Sequence, residues 1–92
     1  MQLSIEDINN YLQNLEGWTY NNESIEKKFL FNDFIGAFAF LTKVALKAEA
    51  VQHHPDWCNV YNKVTIRLTT HDAGGVTNKD IELAASINEL ML

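Results

Sequence analysis

Glu49-Ala50-Val51-Gln52-His53-His54-Pro55-Asp56-Trp57 is the stretch on which the fold turns, because a helical pattern stops there and a strand pattern follows. Proline disfavours helical geometry at the residue before it, so the helix arriving from the N-terminal side ends near His53 and the chain turns away. Upstream, Asn32-Asp33 supplies a cap. Phe34 to Gln52 then reads as the longest helix, with Phe34, Ala37, Phe38, Leu41, Ala45 and Ala48 recurring on one face and Val44 and Val51 widening it. Ile35, Ala39 and Leu46 fall on a different side that one sheet cannot cover, so a second helix or a partner subunit is expected there. The plainer reading is scattered exposed apolar residues, which are ordinary. Downstream the period changes to two: Val64, Ile66 and Leu68 alternate with Lys63, Thr65, Arg67 and Thr69, a strand with one inner face. Asn59-Val60-Tyr61 is either a separate short strand joined by a tight turn at Asn62 or the front of one bent strand, and periodicity does not choose.

The same reasoning extends to both ends. Ser4 caps a short amphipathic helix with Glu6 and Asp7 in its first turn and Ile5, Ile8, Tyr11, Leu12 and Leu15 at helical spacing; Gly17 stops it. Trp18-Thr19-Tyr20, the polar turn Asn21 to Ser24, and Ile25 to Phe31 read as a hairpin. Ile25, Phe29 and Phe31 share the core face, interrupted by Lys27, while Glu26 and Lys28 face away. After the strand that leads to Thr70, His71 to Val76 is a loop by its glycines. Thr77 with Asp80 three residues on then opens a last helix whose apolar residues are Ile81, Leu83, Ala84, Ile87, Leu90 and Met91. The order helix, two strands, helix, two strands, helix predicts an α+β, two-layer fold: a four-stranded antiparallel sheet with three helices packed on one face. Residues 1–92 form one domain around one core, small enough for pairing of subunits to add stability.

Composition narrows the function classes. Seven Lys plus Arg against twelve Asp plus Glu give a net charge of −5, with no basic run, which argues against direct nucleic-acid binding. The apolar stretch Phe34 to Leu41 is too short to span a membrane, and no basic region followed by an apolar core opens the chain, so neither a membrane anchor nor a secretory signal is expected. A single cysteine, Cys58, rules out an internal disulfide framework and suits a reducing, cytoplasmic compartment. Beside Trp57 it reads as packing before it reads as a nucleophile.

The chemistry concentrates in three histidines. His53 and His54 stand at a helix C-terminus, whose partial negative charge favours the protonated form, and Glu49 can face His53 across one turn. His71 follows the second strand pair at the sheet edge that the helix end also reaches. Zinc binding is a sharp reading of three histidines and a carboxylate, but adjacent histidines project divergently and no His-x-Glu or Cys-x-x-Cys spacing is present, so a metal-free acid–base site is favoured. Cys–His nucleophilic catalysis lacks a third group to orient the pair. Asp80 completes a capping box and can also hold or polarise His71. Trp18, Trp57 and Tyr61 are core or interface aromatics first and a stacking wall for a flat heterocycle second.

Taken together, Glu49-x-x-x-His53-His54-Pro55, Trp57, Asn59-Val60-Tyr61-Asn62-Lys63-Val64, Thr70-His71 and Asp80 closely resemble the signature of the pterin-4a-carbinolamine dehydratases. Gly17-Trp18, Asp33-Phe34 and Val44-Ala45-Leu46 extend the likeness over nearly the full chain. The resemblance implies a four-stranded antiparallel sheet backed by helices and dehydration of 4a-hydroxytetrahydropterin to quinonoid dihydropterin, with no metal and no organic cofactor. It further implies a place in recycling of the tetrahydrobiopterin used by aromatic amino acid hydroxylases. Carried over by position, His53, His54 and His71 are the catalytic histidines, Asp80 supports them, and Glu49, Gln52, Pro55, Trp18, Thr69, Thr70 and Asp72 lie near bound pterin. Gln52 stands where some members carry an acid and Cys58 where some carry a larger apolar residue, departures that bear on pterin orientation more than on activity. A homodimer or homotetramer is expected. The alternative function is a binding module, since some relatives serve as dimerisation cofactors and coactivators of a homeodomain transcription factor.

Overall fold

Alternation along β4 (Lys63–Leu68) builds the middle of the sheet: Val64, Ile66 and Leu68 are at most 1% exposed while Lys63, Thr65 and Arg67 face the other way. A computed structural model describes residues 1–92. On one side β4 pairs antiparallel with β2 (Ser24–Leu30), setting Leu68 opposite Ile25 and Val64 opposite Phe29. On the other it pairs with β3 (Asp56–Val60), setting Ile66 opposite Trp57 and Val64 opposite Asn59. β1 (Thr19–Asn21) closes the free edge of β2, giving the order β1-β2-β4-β3. Asn59-Val60 is thus the end of a separate strand that begins at Asp56, and Tyr61, not Asn62, takes the left-handed turn position at φ 52. Asn62 instead ties the turn to the end of β2 through its side-chain donation to the Phe31 carbonyl at 2.9 Å.

The first hairpin turns on Asn22 and Glu23, both with positive φ, the two-residue geometry that matches strand twist. Lys27 does interrupt the core face, and its stem explains how. It runs past Gly17, where an added Cβ would lie 2.6 Å from Lys27 Cε, and its Nζ sits 5.0 Å from the Phe29 ring centroid and donates to Asn88 Oδ1 at 2.8 Å. Burial pushes the Lys27 ammonium below its ordinary pKa, and the Glu16 carboxylate pulls it partly back.

Three helices cover the inner face. α1 (Ile5–Leu12) is capped by Ser4 and buries only Ile8, a contribution of about 1.5–3 kcal/mol, while Leu15 packs into the core from beyond the helix end. α2 (Phe34–Val51) is capped by Asp33, whose Oδ1 accepts from Gly36 N–H at 2.7 Å. Its buried arc is Ala37, Phe40, Leu41, Val44 and Ala48. Phe34 and Phe38, expected on that arc, are 52% and 60% exposed, and Ala45 is exposed as well. The helix is apolar nearly all round, so its pattern leaves the facing arc open, and packing against the sheet rotates it toward Phe40 and Val44. Ile35 and Leu46 on the far side remain 78% and 69% exposed. No helix of the fold is long and apolar enough to cross a membrane. α3 (Asn78–Glu89) buries Ile81, Leu83, Ala84 and Ile87 as its spacing predicts, with Met91 exposed beyond it.

Candidate active site

α2 ends without a glycine. Gln52 takes the left-handed conformation at φ 54, its N–H reaching the Ala48 and Glu49 carbonyls, and His53 N–H returns to the Ala48 carbonyl at 3.1 Å. This is the Schellman form of helix end, which satisfies orphan carbonyls. For a residue with a Cβ the left-handed state costs about 1–2 kcal/mol. Gln52 offsets part of that by donating Nε2 to the Glu49 carbonyl at 3.0 Å. Pro55, half-buried, then starts the path into β3.

That single reversal sends the two imidazoles apart. His53 leaves the helical rows, so its expected contact with Glu49 is not made. Glu49 Oε1 instead accepts from His54 Nε2 at 2.8 Å, with side chains 72% and 61% exposed. The His54 hydrogen bond, then its charge, then the Gln52 side chain hold the Glu49 carboxyl below its ordinary value. His53, 11% exposed, turns inward to the start of α3 and puts Nε2 2.5 Å from Asp80 Oδ1.

Asp80 is 0% exposed, and its place comes from the capping box: Thr77 N–H donates to Asp80 Oδ2 at 2.9 Å. Thr70 Oγ1 donates to the same oxygen at 2.8 Å. The expected Asp80–His71 pairing is therefore replaced by Asp80–His53, because the cap aims the carboxylate at the end of α2. His71 opens a short 3-10 turn, His71–Ala73, closed by Gly74 at φ 75 and by a Thr70–Gly75 bridge. Its side chain is exposed and makes no hydrogen bond within the chain; Asp72 beside it is also exposed. Thr69 donates Oγ1 to the Glu23 carbonyl at 2.8 Å, fastening the end of β4 to the first hairpin.

Of the aromatic candidates, Trp18 is a core residue: 4% exposed, edge-on to Phe29 and donating Nε1 to Asn88 Oδ1 at 2.9 Å. Trp57, 38% exposed on the edge strand, and Tyr61, 63% exposed, are open to solvent. A cleft of about 400 Å³ lies between the C-terminal end of α2 and the N-terminal turns of α3, lined by Lys47, Val51, His53, Lys79, Leu83 and Ser86 among others. Thr77 belongs to the hydrogen-bonded cluster although its sequence reading stops at a helix cap. The available signal was that one Asp80 oxygen suffices for the cap and leaves the other free. No three His, Cys, Asp or Glu side chains converge as a metal-binding set. The arrangement supplies an imidazole oriented by a buried carboxylate, the geometry of a positioned acid or base, beside a second imidazole paired with an exposed carboxylate.

The model of the family described as Pterin 4 alpha carbinolamine dehydratase matches residues 1–90. A protein of Solibacter usitatus (strain Ellin6076) is 51% identical over 89 residues, covering 97% of this chain and 94% of its own. One of Prochlorococcus marinus (strain NATL2A) is 49% identical over 84 residues, covering 91% and 88%. Both carry the name "putative pterin-4-alpha-carbinolamine dehydratase". The crystal structure of a transcriptional coactivator/pterin dehydratase from Brucella melitensis superposes with a TM-score of 0.95 at 40% identity, covering 98% of each chain.

Proposed function

The chain belongs to the pterin-4a-carbinolamine dehydratase family, and from that premise we propose that it removes water from a 4a-hydroxytetrahydropterin by histidine acid–base catalysis, without metal or organic cofactor. The observation that carries the reading is the pairing of adjacent histidines with different carboxylates, one buried and one exposed. The reaction needs a proton delivered to the 4a-hydroxyl as the C4a–O bond breaks, and a proton taken from N5 as its electron pair forms the C4a=N5 bond. His54, coupled to Glu49, is the acid that protonates the departing hydroxyl. His53, its Nε2–H committed to Asp80, is the base, and Asp80 stabilises the imidazolium that forms. His71, with its side chain free, is the third imidazole and contacts substrate. Gln52, Pro55, Thr69 and Asp72 frame the pterin.

The product is quinonoid dihydropterin, and the reaction serves recycling of the tetrahydrobiopterin consumed by an aromatic amino acid hydroxylase. The protein works in the cytoplasm as a homodimer or homotetramer, a reading supported by the exposed Ile35, Phe38 and Leu46 on α2 and by the exposed free Cys58. The same exposed face favours one second reading, a protein-binding module of the coactivator kind.

Mixing the protein with chemically generated 4a-hydroxytetrahydropterin and following its ultraviolet decay tests the proposal. His53→Ala and His54→Ala are each expected to slow decay by about 10²–10⁴-fold and His71→Ala by less. Near-parental rates in all three overturn it. A stable protein complex with no dehydration favours the binding module.

A further inference from the structure

The hydrogens around Asp80 admit one arrangement when its carboxylate is ionised. Both oxygens then only accept. Thr70 Oγ1 owns a single hydrogen and lies 2.8 Å from Asp80 Oδ2 and 2.7 Å from Thr77 Oγ1. No other hydrogen is available between Thr70 Oγ1 and Oδ2, so the Thr70 hydrogen points at Asp80. Thr77 Oγ1 must then donate to Thr70, and it accepts in turn from Lys79 N–H at 3.2 Å. On the opposite side His53 Nε2 carries the hydrogen directed at Oδ1. Donors therefore run in one direction, from the first turn of α3 through two hydroxyls to the carboxylate. With Thr77 6% and Asp80 0% exposed, water does not readily replace a missing donor.

We infer that Thr70 and Thr77 are positioning residues for the reaction: through Asp80, their hydroxyls hold His53 in the Nε2–H tautomer and leave Nδ1 as the nitrogen that exchanges protons. This rests on the acid–base role proposed for His53. Helix capping alone does not account for Thr70, which lies outside α3, ten residues before Asp80, and satisfies none of the backbone N–H groups of the first turn. Its hydroxyl fixes the rotation of the carboxylate: with Oδ2 held by Thr70 and by Thr77 N–H, Oδ1 is the oxygen left facing His53 Nε2. Without it the carboxylate is free to turn about its Cβ–Cγ bond, Nε2–H loses its fixed acceptor, and the Nδ1–H tautomer competes.

The test is nitrogen-15 NMR of the full chain in mildly alkaline buffer, where two- and three-bond imidazole correlations distinguish Nε2–H from Nδ1–H, alongside the dehydration assay. The parent and Thr70→Ser are expected to show His53 as Nε2–H. Thr70→Val is expected to show the Nδ1–H form or a mixture, with kcat lower by roughly tenfold to a hundredfold, the size of one lost hydrogen bond to a charged group. Thr77→Val is expected to move the same signals less, and Thr77→Ser to restore them. Thr70→Ala is measured in parallel and read the same way should the valine variant not fold. A folded Thr70→Val in which His53 keeps the parental pattern overturns the inference whatever its rate. A parent chain without dehydratase activity overturns the acid–base reading alone, and the tautomer comparison still decides this one.

Discussion

His53 and His54 are neighbours in sequence, and each meets one carboxylate, at 2.5 Å to Asp80 and at 2.8 Å to Glu49. The first pair is enclosed, with Asp80 drawing two further hydrogen bonds from Thr70 and Thr77, whereas the second stands in solvent with nothing fixing it from outside α2 except the chain reversal at Gln52. The same two functional groups thus carry different physical weight. A buried charge stripped of its partner is strongly unfavourable, while an exposed pair trades one set of water contacts for another and gains little. The buried pair can impose a fixed geometry; the exposed one can change its protonation without disturbing the fold.

Asp80→Ala is the change that most sharply tests this contrast. It leaves Thr77 N–H and His53 without their acceptor, and the unfolding free energy in urea is expected to fall by about 3–5 kcal/mol. A loss below about 1 kcal/mol would place the buried pair in the class of the exposed one. Gln52 comes next, because it is the residue that separates the two imidazoles. Gln52→Gly removes left-handed strain and is expected to raise stability by about 1 kcal/mol, and Gln52→Val to lower it. A destabilised glycine variant would show that the Gln52 bond to the Glu49 carbonyl outweighs the strain.

The smallest effect belongs to Glu49→Gln. Glu49 titrates below its ordinary value of 4.5 in the folded chain, so the unfolded chain binds more protons in that range and the parent's advantage grows with rising pH. That advantage is fully present above 4.5 and disappears as pH falls through the lower folded pKa. Thermal unfolding of parent and variant across this window reads it, and concentrated salt should shrink it because both partners are exposed. A difference that survives acid or salt would give Glu49 a role other than ion pairing.

Much of this was legible from residue order. Pro55 marked the end of α2 and the alternation from Lys63 to Leu68 marked β4, although the start of β3 at Asp56 was not visible, and Thr77 with Asp80 marked the start of α3 to the residue. What residue order could not carry was which carboxylate meets which imidazole. That depends on Gln52 adopting a backbone state usually left to glycine, and helical spacing assumes the helix continues in phase to His53. The facing arc of α2 was hidden for a different reason: with Phe34, Phe38 and Phe40 distributed around it, the pattern is apolar on several sides, and only the inner face of the sheet selects Phe40. Lys27 looked like a flaw in a core strand until Asn88, 61 residues away, supplied its acceptor.

Asp80 serves at once as the third residue of a helix and as the partner of His53. Fraying of the first turn of α3 therefore also carries away the carboxylate that holds His53. A molecule that engages His53 must draw on the closed population, and by mass action it protects the turn from which Asp80 projects.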